Sequence, residues 1–371
     1  MLAHSAPCVN GVPAQRAQDG TNVPAALLPG QPRHPGGPQG RPAAGSPRGA
    51  RSPRLAPWFP AASEGERHRP SKHRVARIRV AGQGDPWPGR LNGTGGCPVS
   101  QWTEGSCQAN GIEIHYLRTG GDKPPIVLLH GFTDDGACWG PLARALEKDW
   151  DVIMPDARGH GRSSVPQAPY GIKDLAQDVI GLIEALKLER PVVGGHSMGG
   201  ITAAVAAAER PDLVRALVLE DPGFVARDSA MGDEQKVAER RRRMLEGHKS
   251  VLATPIEELM ASRRKESPHW SEETVELWAR SKYLTKVEAF TMLGHLFPDY
   301  RDVVRAIQCP SLVIMGEAEL GGIVTAEMAG IIHDLNPHFR CEKVAGAGHC
   351  VRYDRPEEYT ELVLAYLREL A

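Results

Sequence analysis

The sequence lacks long apolar runs and paired cysteines. Nowhere in its 371 residues is there a run of about 18 apolar residues, which a membrane-spanning helix needs. No apolar stretch near the N-terminus is long enough for the hydrophobic region of a signal peptide. The seven cysteines are scattered and form no C-x-x-C pair, which argues against zinc or redox chemistry. These absences predict a cytoplasmic protein without a membrane span, a metal or a cofactor, in which Cys350 serves packing.

Charge of either sign is also not in excess. The formal net charge of −1 gives no global attraction to polyanions, so we expect no nucleic-acid partner. Residues 1–106 are crowded with proline, glycine, arginine and serine and have no helical or alternating apolar period. Such a segment cannot bury enough apolar surface to offset its ordering entropy. We therefore predict a disordered leader over 1–106 and interpret its arginines as solvated.

The rest of the chain alternates between strand and helix patterns. This alternation predicts an α/β fold with a mostly parallel sheet and helices on both faces. Between the two parts of this core, a helical segment rich in charge and dotted with aromatic residues predicts an inserted cap over 223–301. The core itself is predicted over 107–222 and 302–371. The clearest elements are strands over 112–118, 125–129 and 151–155 and helices over 140–148 and 172–188.

A G-x-S-x-G pentapeptide centred on Ser197 follows an apolar run and precedes a helical stretch of small residues. A serine hydroxyl is a weak nucleophile, and a sharp strand-to-helix turn can project it where it reacts. Gly195 and Gly199 supply clearance that a side chain would obstruct. The pentapeptide in this setting predicts that Ser197 is a catalytic nucleophile.

A second motif follows the buried strand over 125–129, where the chain continues as His130, Gly131 and Phe132. Acyl transfer creates an oxyanion, which two preorganised backbone amides can stabilise. We predict that these amides belong to Phe132 and to Met198, directly after the serine. His130 and Gly131 are then candidate substrate contacts, although the pair could also be a tight turn with a core histidine.

A third motif places His349 on a glycine-rich loop after the last predicted strand. A histidine on such a loop can reach over the sheet edge to the serine and act as its general base. Most of the other thirteen histidines are interpreted as surface or packing residues because the total of 14 makes any one of them uninformative.

Together these motifs resemble the α/β-hydrolase family, in its branch of esterase-like enzymes with a His-Gly-Phe oxyanion loop. The resemblance covers about residues 108–371 and implies the α/β-hydrolase fold with a helical cap. It extends to the segment over 156–163, which is mainly architectural in the family, so we assign Asp156, Arg158 and His160 a structural role.

The triad acid is left with two candidates. In similar proteins the acid lies shortly after strand seven, where this chain has Glu319, with Glu317 beside it as a competitor. Some members instead place the acid after strand six, where this chain has Asp221 before a proline. Asp-Pro is also a common turn signal. The two candidates are nearly equal, and Glu319 is slightly preferred because the position after strand seven is the commoner one in the family, so Asp221 stays open. Either carboxylate would orient the imidazole without taking its proton.

The resemblance implies a cofactor-independent serine hydrolase acting on a small acyl compound, a carboxylic ester or a lactone. Trp139 and Phe224 are expected to line an apolar pocket with some of the cap's side chains. Alternatives are a carbon–carbon bond hydrolase, an amidase or a perhydrolase on the same fold, or a ligand-binding protein without catalysis. Substrate identity and oligomeric state are not predicted. The cap side chains considered for the pocket are Trp270, Trp278, Tyr283, Phe290, Met292, Leu296 and Phe297.

Overall fold

The computed structural model describes residues 102–226, 234–294 and 297–370. In these ranges the strands are β1 (Thr103–Ala109), β2 (Ile112–Arg118), β3 (Pro125–Leu129), β4 (Asp151–Pro155), β5 (Val192–His196), β6 (Ala216–Glu220), β7 (Ser311–Met315) and β8 (Phe339–Lys343). The α-helices are α1 (Gly140–Leu146), α2 (Ile172–Ala185), α3 (Met198–Glu209), α4 (Glu234–Ala253), α5 (Ile256–Glu266), α6 (Glu272–Leu284), α7 (Tyr300–Ala306), α8 (Ala326–Leu335), α9 (Val351–Asp354) and α10 (Pro356–Glu369).

The eight strands form one sheet in the order β1-β2-β4-β3-β5-β6-β7-β8. β1 pairs antiparallel with β2, and β2 pairs antiparallel with β4. From β4 onward in this sheet order, β3 included, all neighbouring strands pair in parallel. The predicted α/β class is therefore confirmed. Because the parallel strands all end at one edge, the loops after β3, β5, β6 and β8 come together there.

The parallel strands are apolar because both faces of the sheet are covered. Alternate residues of β3 point to opposite sides, so Val127 belongs to one apolar cluster and Leu128 to the other. Helices α2 and α3 contribute to the first cluster, and α1 and α10 to the second. Among the described helices, none combines the length and apolar character that crossing a bilayer requires.

The hydrolase-like core extends to positions before the predicted start at 107, because β1 starts at Thr103 and pairs with β2. The sequence prediction missed this strand since only Cys107 and Ala109 among its apolar residues are buried. Residues 1–101, which carry almost all of the predicted leader, lie outside the described residues.

The cap is helical, as α4, α5 and α6, followed by 3₁₀ turns over Val287–Gly294. Its ends meet in an isolated parallel bridge between Val225 and Asp299, close to the predicted limits of 223–301. α6 begins where the Ser271 hydroxyl accepts the Thr274 amide at 3.1 Å, and two glutamates follow in its first turn. Residues 227–233 and 295–296, including Leu296, lie outside the described residues.

Candidate active site

Ser197 occupies a sharp turn between β5 and α3. Its φ of 51° and ψ of −110° lie in a region that residues other than glycine rarely adopt. The flanking glycines are required by space: a Cβ on Gly195 would lie 2.3 Å from the Gly199 oxygen, and one on Gly199 would lie 2.1 Å from the Leu129 oxygen. Backbone strain held this firmly by its surroundings is typical of functional positions.

His349 is bonded to Asp221. Its Nδ1 lies 2.6 Å from Asp221 Oδ2. The Asp221 carboxylate is fully buried and also accepts the amides of Ile323 at 2.8 Å and Val324 at 2.9 Å. Three hydrogen bonds fix the orientation of this carboxylate. With Nδ1 donating to it, Nε2 is the ring nitrogen of His349 that can accept a proton.

Neighbouring strand ends bring this pair to the serine. His196 pairs with Glu220 in the sheet, so Ser197 and Asp221 each follow directly on adjacent strands. The Ser197 amide donates to the Glu220 carbonyl at 3.0 Å. The His349 ring lies 4.6 Å, centroid to centroid, from the ring of His196, the residue before the serine.

The preference for Glu319 as the partner of His349 is wrong. Glu319 is exposed on a 3₁₀ turn, Ala318–Leu320, after β7, and no hydrogen bond joins it to His349 among the described contacts. Its neighbour Glu317 accepts the Gly346 amide at 2.9 Å, so its carboxylate braces the loop before His349 instead. The carboxylate that meets the imidazole is Asp221, at the end of β6.

His196 ties the His349 loop to the nucleophile turn. Its Nε2 donates to the His349 carbonyl at 3.0 Å. Burial, together with the charges of Arg352 and His349, holds the pKa of His196 well below its ordinary value. His196 is therefore neutral, and it contributes a hydrogen bond donor rather than a charge.

The two predicted oxyanion amides lie on different elements. Phe132 is in a turn closed by the Asp134 amide, which donates to the Gly131 carbonyl at 3.1 Å. We call residues 131–134 the oxyanion turn. Met198 is the first residue of α3, where helical amides have no partner within the helix. Among the described residues, neither the Phe132 nor the Met198 amide donates a hydrogen bond to the protein.

His130 and Gly131 shape this turn. The buried His130 ring donates from Nδ1 to the Gly131 carbonyl at 2.8 Å and accepts the Ala157 amide on Nε2 at 2.9 Å. Both nitrogens are occupied, so the expectation that His130 contacts substrate is wrong. Burial lowers the pKa of His130, which keeps the ring neutral. A Cβ on Gly131 would lie 2.5 Å from Nδ1 of His196, which explains the glycine.

Trp139 and Phe224 do not line a pocket. Trp139 is 1% exposed, and the guanidinium of Arg352 lies 4.4 Å from its ring centre. Phe224 is 3% exposed and stacks on Tyr300 with ring centres 5.6 Å apart. Both are core residues, since Trp139 and Phe224 each belong to one of the two buried apolar clusters. The expectation that they contact substrate is therefore wrong.

The cap side chains divide into two groups. Trp270 and Trp278 pack on each other and on the guanidinium of Arg263, and Trp270 also packs on Tyr353 of the core, with ring centres 4.9 Å apart. Phe290 instead reaches the oxyanion turn, with its ring centre 4.9 Å from that of Phe132. The segment that follows α6 therefore contacts the oxyanion turn through Phe290.

The structural role assigned to the segment after β4 agrees with its contacts. Asp156 accepts the His115 ring at 2.8 Å and the amides of Gly136 and Arg162 at 2.8 and 2.9 Å. Arg158 is paired with the buried Asp178. These bonds fix loops rather than present groups to a substrate.

A buried network of charges was not predicted. It joins Lys282 of the cap to Asp134, then to Arg352 and Glu220. One signal was available in the sequence: Lys282 lies seven residues after Val275 and so falls on the buried face of α6. The pairing of Arg352 with Asp134 spans 218 positions and follows no local pattern.

Among the described residues, no group of three or more His, Cys, Asp or Glu side chains is arranged to hold a metal ion. The candidate site therefore consists of a serine, an imidazole, a buried carboxylate and two amides. Their arrangement suits nucleophilic attack on a carbonyl carbon with proton transfer through the imidazole.

The comparisons with known proteins point to hydrolases. A family model described as alpha/beta hydrolase fold matches residues 124–356, more than half of the chain. The (E)-2-((N-methylformamido)methylene)succinate hydrolase of Acinetobacter baylyi is 28% identical over 263 residues, 70% of this chain and 95% of that protein. Serine hydrolase BPHL of Homo sapiens is 27% identical over 281 residues, 72% of this chain and 87% of that protein.

A solved structure agrees with these relatives. A thermophilic esterase from Thermogutta terrifontis, with malate bound, superposes with a TM-score of 0.57 at 28% sequence identity. The match covers 70% of this chain and 94% of that one. The chain therefore belongs to the α/β-hydrolase family.

Proposed function

We propose that the protein is a cofactor-independent serine hydrolase that cleaves a carboxylic ester or a related acyl compound, such as a lactone. The observation that carries the proposal is the 2.6 Å contact between His349 Nδ1 and Asp221 Oδ2, beside the strained Ser197. The esterase fold neighbour and the human serine hydrolase support this reaction class.

The proposed reaction has two halves. Ser197 Oγ attacks the carbonyl carbon while Nε2 of His349 takes its proton, and the amides of Phe132 and Met198 stabilise the oxyanion. The carbon–oxygen bond then breaks, and the imidazolium gives its proton to the leaving alcohol. In the second half, His349 Nε2 takes a proton from water as the water oxygen attacks the acyl carbon. The bond to Ser197 Oγ then breaks, the acid is released, and the imidazolium gives that proton to Ser197 Oγ. Asp221 stays ionised throughout and stabilises the imidazolium.

Replacing the serine tests the proposal. Ser197→Ala should lower kcat for short p-nitrophenyl esters by about 10³-fold or more, because it removes the nucleophile. Ser262→Ala is the matched control, since this serine is exposed on α5, where its hydroxyl donates to Glu266 at 3.1 Å. The proposal is rejected if Ser197→Ala retains the activity of the Ser262→Ala protein.

The name of the Acinetobacter baylyi relative favours a second candidate, hydrolysis of an amide-like acyl group by the same residues. A panel of a p-nitrophenyl ester, a lactone and the p-nitroanilide of the same acyl group separates the two. A kcat/KM for the anilide that equals or exceeds the value for the ester would favour the amide. The opposite order supports the ester proposal.

A further inference from the structure

Lys282 is a buried lysine that reaches from the cap to the oxyanion turn. It is 7% exposed and lies on α6. Its ammonium donates to the Thr133 carbonyl at 3.0 Å and to Asp134 Oδ1 at 2.7 Å. The cap therefore contacts this turn in two ways: the Lys282 ammonium bonds the Thr133 carbonyl, and the Phe290 ring packs on the Phe132 ring.

The bonded carbonyl lies at a strained position. Thr133 has a φ of 68°, in the left-handed region that a β-branched residue disfavours. Such a conformation persists only where its surroundings hold it. Lys282 bonds the carbonyl of Thr133 and the side-chain carboxylate of the next residue, Asp134. Phe132, whose amide is the proposed oxyanion donor, immediately precedes Thr133.

The same carboxylate leads onward to the other catalytic elements. Asp134 Oδ2 accepts from Arg352 at 3.1 Å, and Arg352 donates to Glu220 Oε2 at 2.8 Å. Glu220 directly precedes Asp221, and Arg352 lies three residues after His349. The cap lysine is thus the first member of a charge network that ends beside the proposed acid and base.

The network is balanced and out of water. Two cations and two carboxylates have side chains no more than 9% exposed, so each charge is compensated only by its neighbours. Burial alone would raise the pKa of Asp134, but Lys282 and Arg352 outweigh it and hold that pKa well below its ordinary range. Asp134 is therefore ionised, and its bonds to both cations are charge-assisted.

We propose that Lys282 is a positioning residue by which the cap holds the oxyanion turn in its active geometry. The proposal rests on the proposed function, because it assigns the Phe132 amide to the oxyanion. Losing Lys282 should let Thr133 relax from its positive φ and turn the Phe132 amide away. Binding of the uncharged ground-state ester should change little, because that amide acts mainly in the transition state.

The test compares Lys282→Met with Lys282→Arg. Lys282→Met should lower kcat for a p-nitrophenyl ester by about 10- to 100-fold with KM changed less than about threefold, since misplacing one oxyanion donor acts on the transition state. Lys282→Arg keeps a donor and the charge and should restore most of the rate. Lys286→Met is the matched control, because this cap lysine is only half-buried and should leave kcat unchanged.

A second variant addresses folding. Lys282→Met leaves Asp134 with one cation fewer, so Lys282→Met with Asp134→Asn removes one charge of each sign and keeps the network neutral. Thermal unfolding and near-ultraviolet circular dichroism identify which variants are folded. The proposal predicts that the folded double variant still has the lower kcat. A boronic acid, which forms a tetrahedral oxyanion on the serine, should bind it more weakly by a similar factor.

The outcomes separate the two proposals. If Ser197→Ala retains full activity, the proposed function fails and the role of Lys282 fails with it. If Ser197→Ala is inactive but folded Lys282→Met or the double variant keeps wild-type kcat and boronate affinity, only the positioning role is rejected. Equal losses in kcat and in folded fraction, without a loss of boronate affinity in the folded protein, would also reject it.

Discussion

The sheet edge and the cap are built in different ways. Every residue of β3, apart from its first, is buried, as are all those of β5, β6 and β7. In α5 of the cap, Arg263 is the buried residue, and exposed ion pairs such as Arg264 with Glu272 line the surface. The proposed nucleophile, base, acid and oxyanion amides all come from the sheet edge. The cap adds aromatic side chains and the buried ammonium of Lys282, which contact the core without supplying a reacting group.

The largest expected effect tests the acid at the sheet edge. Asp221→Asn should lower kcat by about 10³- to 10⁴-fold, because an amide neither fixes the required tautomer of His349 nor stabilises its imidazolium. Glu319→Gln, on an exposed turn, is the matched control and should keep wild-type kcat. Steady-state kinetics with a p-nitrophenyl ester measures both. A larger loss in Glu319→Gln than in Asp221→Asn would reverse the assignment.

The next effect compares a buried ion pair with an exposed one. Arg352→Met should lower the free energy of unfolding by about 3–5 kcal/mol, because it strands the buried charges of Glu220 and Asp134. Arg264→Met in the cap should cause no measurable change, since water already solvates its partner. Urea unfolding followed by tryptophan fluorescence gives both values. Equal losses in the two variants would remove the contrast between core and cap.

The third effect depends on pH and is smaller than the previous one at each single pH unit. Burial and the charges of Asp156 and Asp134 raise the pKa of Asp135 from 3.8 to about 7. Between these values the unfolded carboxyl is ionised and the folded one is not, so stability falls as pH rises, by at most about 1.4 kcal/mol per pH unit. Asp135→Asn has no such proton and should lack this slope. Thermal melts from pH 4.5 to 8 should show the Tm of Asp135→Asn rising relative to that of the wild type as pH increases. A constant difference in Tm between the two proteins would contradict this.

The smallest effect tests a link from the cap to the His349 loop. The Trp270 indole donates to Asp354 Oδ1 at 2.8 Å, and Asp354 Oδ2 accepts the Gly348 amide at 2.8 Å. Trp270→Phe removes the first bond and should cost about 1 kcal/mol of stability or less. It should lower kcat only a fewfold, because Asp354 keeps its bond to Gly348. A loss in kcat as large as that of Asp221→Asn would place more of the site under control of the cap.

The sequence alone was sufficient to predict the buried strands of the sheet and the turn at Ser197. Apolar runs predicted β3 and β4 with the bounds observed, because strands buried on both faces have few polar interruptions. The bounds of β2, in which apolar and polar residues mostly alternate, were also as predicted. β1 was missed because it is an edge strand with few buried residues. The turn at Ser197 could be predicted because only glycine fits where two backbone segments lie in contact.

The sequence alone did not show which carboxylate bonds to His349. Glu319 and Asp221 follow neighbouring strands at the same edge, and the loops that aim each side chain have no periodic pattern. Two backbone amides, of Ile323 and Val324, orient Asp221 from 102 and 103 positions away. Trp139 was misassigned for a related reason, since an aromatic residue near a motif can face the core as readily as a pocket.

The most direct test of the central claim is rapid mixing of enzyme with excess p-nitrophenyl ester, followed by intact-mass and peptide analysis of the quenched protein. We predict a burst of p-nitrophenol of about one equivalent per chain, provided that deacylation is the slower step, as the kinetic fingerprint of an acyl-enzyme. The acyl group should be found on Ser197 and be absent from Ser197→Ala. An acyl group on another residue, or full turnover by Ser197→Ala, would contradict the account.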